Sequence, residues 1–169
     1  MILHIYTIIH TLISLVAIFT GIVVLFGMLA GNRLDCWTKW FLTTAVLTSV
    51  TGFFFPFHGF TPAIGLGIIS LPFLAITIFA RYSKHLAGAW RWIYVIGAVI
   101  CLYFNLFVLV VQLFEKVTAL HAMAPTQTES PFKLTQFVVL MLSTVLAIVA
   151  VIRFRPEPAR AADGESPPI

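Results

Sequence analysis

Five histidines, at positions 4, 10, 58, 85 and 121, are the residues of this chain best suited to chemistry. An imidazole can ligate haem iron or a divalent metal, hydrogen-bond a quinone headgroup, or exchange a proton near neutral pH. No diagnostic spacing links them. His4 and His10 differ by six positions, about 120° around a helix and roughly 9 Å along it, so they cannot chelate one ion as an i, i+4 pair would. A metal site would need His10 and His58 brought together by the fold. A haem or other cofactor site would draw on His10, His58, His121, Gln112 and Glu115. There is no HExxH, no pair of intramembrane carboxylates, and no nucleophile spaced from a base and its orienter. The chain is therefore expected to have no catalytic activity of its own.

The elements that position these residues follow from composition. Of the 169 residues, 60% are hydrophobic and 9% charged, a balance that suits lipid rather than water as solvent. Five apolar runs, at about 5–30, 38–55, 62–80, 92–114 and 132–152, approach the roughly 20 residues a helix needs to cross a bilayer. They predict an all-α polytopic bundle of five transmembrane helices spanning residues 1–152, followed by a disordered tail at 153–169 rich in Pro, Ala and charge. The first run is too long for a signal peptide and has no Lys or Arg before it, so it reads as a retained span. Gly31 and Asn32 close it. Pro56 stops the second run, Thr61 and Pro62 open the third, Pro72 is expected to kink it, and Ser130 and Pro131 open the fifth.

Orientation comes from the cations. With the N-terminus outside and the C-terminus cytoplasmic, the inner side holds Arg33, Lys39, Arg81, Lys84, Arg91, Arg153, Arg155 and Arg160, against Lys116 and Lys133 outside. The net charge of +4 is thus a topology signal, and nucleic acid is not an expected partner. Cys36 and Cys101 form no motif. Trp37, Trp40, Trp90 and Trp92 gather at the inner interface.

Small and polar residues mark faces turned toward other helices. Ser14 and Gly21 share a stripe with His10 on the first span, Thr44, Thr48 and Thr51 on the second, and Gln136 and Ser143 on the fifth. The strongest stripe is on the fourth, where Cys101, Asn105, Val108, Gln112 and Glu115 stay within about 80° of one another. His4, His10, His58 and His121 all fall on the outer side; His85 does not. His10 lies about two turns into the membrane, where an ionisable group is costly enough to suggest function.

The hairpin segment Pro56-Phe57-His58-Gly59 and the proline-bracketed stretch at 124–132 together resemble small uncharacterised multi-pass membrane proteins of bacteria. That resemblance implies a bacterial inner-membrane location and brings no activity, cofactor or catalytic residue. Three functions are then open. The first is an accessory or structural subunit of a membrane complex or homo-oligomer. The second is a haem, metal or quinone binder with its site on the outer side. The third is a transporter or channel formed as an oligomer, although span centres poor in ionisable groups and an odd number of spans argue against it.

Overall fold

In a computed structural model the described residues, 2–55 and 62–155, form six α-helices and a π-helical turn, with no strand among them. The helices are α1 (Ile2–Leu29), α2 (Asp35–Gly52), α3 (Pro62–Ile78), α4 (Trp90–Lys116), the short α5 (Thr118–Met123) and α6 (Ser130–Arg153). Four stretches, Leu3–Leu29, Ile64–Ser83, Trp90–Lys116 and Ser130–Arg153, are long and apolar enough to cross a membrane. The protein is accordingly a multi-pass membrane protein by length and composition. Between the same two ends runs α2, whose five threonines, Asp35 and Lys39 make it less apolar.

Successive long helices alternate in direction. Around a ring, α1 packs on α2, α2 on α3, α3 on α4 and α4 on α1, while α6 lies outside against α4 and α1. One end of the bundle carries the N-terminus, α5 and the loop before α6. The other end carries the arginines.

Packing differs between the two halves. Toward the arginine end Val24, Phe41, Leu74, Tyr94 and Phe154 are almost wholly buried in one continuous core. Two glycines permit the closest crossings there. A Cβ on Gly21 would come within 2.8 Å of both Leu102 and Phe41, and one on Gly97 within 2.1 Å of the Thr77 hydroxyl. Thr44 is buried, with its hydroxyl donating to the Trp40 carbonyl at 2.7 Å, which is how a polar group is accommodated inside an apolar bundle.

Several local expectations are adjusted. The α2 helix ends at Gly52, before Pro56, which lies outside the described residues together with His58, Thr61 and the tail from 156. Pro72 lies inside α3, and a π turn, not anticipated, follows that helix at Phe79–Ser83. Between α4 and α6 the chain forms α5 rather than a plain loop. The residue flanking α6 is Glu129, one before Ser130. Its carboxylate accepts from the Thr126 hydroxyl at 2.8 Å and from the Thr126 and Thr128 backbone N–H groups. Desolvation opposes these bonds but does not outweigh them, so the Glu129 carboxyl sits below its usual range. The tie is present above the ordinary carboxylate range and is lost as pH falls through that lowered value.

Candidate functional site

The amino-terminal half of the ring is not filled. Ser14 on α1, Ser49 and Gly52 on α2, and Gly67 and Ser70 on α3 are too small to occupy the space that Phe41, Leu74 and Tyr94 fill in the other half. A cavity of about 530 Å³ remains among α1, α2, α3 and α4. Helical interiors are close-packed with few voids larger than a water molecule, and pockets of roughly 300–1,000 Å³ are the size of small-molecule sites. The lining reaches Glu115, Lys116 and Val117, all exposed, at the bundle's end.

His10 belongs to the α1–α2 wall. Its Nδ1 lies 2.8 Å from the Thr51 hydroxyl, and that hydroxyl lies 2.6 Å from the Leu47 carbonyl four residues back. Threonine has one hydroxyl proton. Once it is donated to the carbonyl, His10 must carry its own proton on Nδ1 and donate to Thr51, which leaves Nε2 as a bare acceptor. Phe55 meets the His10 ring edge-on at 5.1 Å and the Tyr6 ring at 4.9 Å, and the Tyr6 hydroxyl donates to the Thr51 carbonyl. The imidazole is thus oriented from two sides.

Across the cavity, α4 presents Asn105, Val108, Gln112 and Glu115. Cys101, first in the same stripe, is buried in the core and does not line the cavity. The Asn105 amide N–H donates to the Cys101 carbonyl at 2.9 Å, so its Oδ1 remains as acceptor. Gln112 and Glu115 make a long contact at 3.5 Å. The hydroxyl of Thr48 is buried on the α2 side without a partner among the described residues. Ser49 and Ser70 hydrogen-bond to each other at 2.8 Å, joining α2 to α3. Acceptors thus stand on both walls, His10 Nε2 on one and Asn105 Oδ1 and the Glu115 carboxylate on the other, with the Lys116 ammonium and the Thr48 hydroxyl as donors in the same lining.

Of the residues singled out in the sequence, His10, Ser14, Thr48, Asn105, Gln112 and Glu115 meet at this cavity, and Thr51 orients His10. His121 is exposed on α5 and does not line it; His58 lies outside the described residues. Among the described residues no three His, Cys, Asp or Glu side chains are placed to hold a metal ion. Gln136 is buried elsewhere, with its Nε2 donating to the Phe107 carbonyl at 3.1 Å. Ser143 lines a second, apolar groove between α4 and α6. Sequence reasoning passed over Tyr6, although its i, i+4 relation to His10 was a usable signal.

At the opposite end a second polar group was not anticipated. Arg81, 3% exposed, reaches from the π turn to Asp35 at the start of α2 and to the Arg33 carbonyl at 3.1 Å. Its guanidinium lies 5.0 Å from the centre of the Tyr94 ring, and Tyr94 is 3.3 Å from the Thr38 hydroxyl. Arg91 donates to the Val151 and Phe154 carbonyls, satisfying the open C-terminal end of α6. These contacts hold four helices in register below the cavity. No protein-family model, curated protein or solved structure matches the chain.

Proposed function

We propose that this is a small inner-membrane protein of bacteria that binds the headgroup of a hydroxyl-bearing aromatic lipid, of the hydroquinone class, in the cavity between α1 and α4. The single observation carrying this reading is an unfilled, ligand-sized volume walled by opposed acceptors and the aromatic rings of Phe53, Phe55 and Phe104. A hydroquinone offers two O–H donors across a flat apolar ring. His10 Nε2 takes one; Asn105 or Glu115 takes the other.

The membrane arrangement proposed with it has five spans, the N-terminus outside and the arginine end in the cytoplasm. Its support is that Arg33, Lys39, Arg81, Lys84, Arg91, Arg153 and Arg155 share one end while Lys116 and Lys133 mark the other. As an 18-residue helix, α2 is about 27 Å long, close to the roughly 30 Å of a bilayer core. The cavity then opens to the outer leaflet. A second reading, a subunit packing on another membrane protein, is supported by α6, of whose most apolar stretch only 6% is buried; it leaves the cavity unexplained.

Calorimetric titration of detergent-purified protein with a short-chain alkylhydroquinone and with the matching alkylquinone tests the proposal. The hydroquinone should bind about tenfold or more tightly than the quinone, which has no donors to give. Equal affinities, or no binding of either, would remove the argument from acceptors.

A further inference from the structure

The second groove, about 450 Å³, runs along the lipid-facing perimeter of the bundle between α4 and α6 and is lined by Ile96, Ile100, Tyr103, Ser143, Thr144 and Ile152, among others. We infer that it holds an acyl chain of an anionic glycerophospholipid from the leaflet at the arginine end. Three observations place this lipid there.

The first is length. On α6 the groove runs from Leu140 to Ile152, twelve steps of 1.5 Å or about 18 Å, against roughly 15 Å for half a bilayer core. It therefore spans one leaflet, not two. The second is chemistry along its course. The lining is mainly aliphatic, and the hydroxyl of Thr144 is already given to the Leu140 carbonyl at 2.8 Å, so the wall is suited to a hydrocarbon chain. The third is what stands at its end. One turn before Ile96 is Trp92, exposed and placed as an interfacial anchor. Arg91 reaches the last turn of α6, and Arg153 and Arg155 follow, both exposed.

Among the described residues none of these three arginines forms an ion pair, and Asp35, the described acidic residue at this end, serves Arg33 and Arg81. A cationic cluster beside the mouth of an acyl-length groove favours a phosphate-bearing anionic headgroup over a zwitterionic one. A second copy of the chain packed there would bring like charges together at Arg153 and Arg155, which form no ion pair among the described residues.

Native mass spectrometry of the full chain, delipidated and then incubated with dioleoyl phosphatidylglycerol or dioleoyl phosphatidylcholine, tests the inference. Phosphatidylglycerol should be retained roughly tenfold more than phosphatidylcholine. The double variant Arg153→Gln, Arg155→Gln should bring the two lipids level. Thr144→Trp, at an exposed groove position, should reduce retention of both, and Ser143→Phe serves in its place if circular dichroism shows that variant misfolded. Equal retention by the parent protein, retention unchanged when the groove is filled, or a dimer that Thr144→Trp dissociates would each overturn the assignment.

Discussion

Replacing Asp35 with alanine is expected to destabilise the protein by about 2–3 kcal/mol, through the charge it leaves behind rather than the charge it removes. The Arg81 side chain is 2% exposed and that of Asp35 72% exposed. The carboxylate can return to water at little cost; the guanidinium cannot. Without Asp35 it retains the Arg33 carbonyl and the Tyr94 ring, while its Nη1 already lacks a partner among the described residues. Removing one member of a fully buried pair costs roughly 3–5 kcal/mol, and the exposure of Asp35 trims that figure. The double variant Asp35→Ala, Arg81→Met should recover most of the loss, since an apolar chain of similar length needs no counter-ion. Equilibrium unfolding in mixed micelles measures both. A single variant within about 0.5 kcal/mol of the parent would show that Arg33 and Tyr94 alone hold the guanidinium.

The second large effect is on binding. His10→Leu keeps the bulk of the side chain on α1 and removes both the Thr51 contact and the Nε2 acceptor, so alkylhydroquinone affinity should fall about 10- to 100-fold. Thr51→Val should cost less, because it frees the imidazole without deleting it. Affinity for the alkylquinone should hardly change in either variant, which separates loss of an acceptor from collapse of the cavity. Parallel titrations of the three proteins decide the matter. A uniform drop for both ligands would point to a structural role for His10.

What the sequence made legible was what depends on local pattern. Apolar length identified the four long helices, and the four-three-four-three spacing on α4 identified the wall that carries Asn105, Gln112 and Glu115. The partners across from that wall could be guessed only as faces, since Ser14, Ser49 and Ser70 are small for reasons visible only once three helices converge. The tie between Arg81 and Asp35 spans 46 positions. Arg81 had been counted only as a topological cation and Asp35 not at all, because pairing across that distance is set by packing. Two features lay outside what local punctuation conveys. Pro72 sits within α3, and the π turn at Phe79–Ser83 beyond it is where the helix widens and carries Arg81, which is buried, beside Tyr94. Glu129, not Ser130, flanks α6, and its carboxylate turns back onto Thr126 and Thr128.

The measurement that tests the central claim most directly is photoaffinity labelling of the purified protein with an azido-alkylhydroquinone, followed by peptide mapping. Label should fall within residues 7–18, 48–55, 64–70 and 104–117 and be suppressed by excess unlabelled alkylhydroquinone. Label that spreads over the exposed face of α6, or that competitor does not suppress, would contradict a site in the cavity.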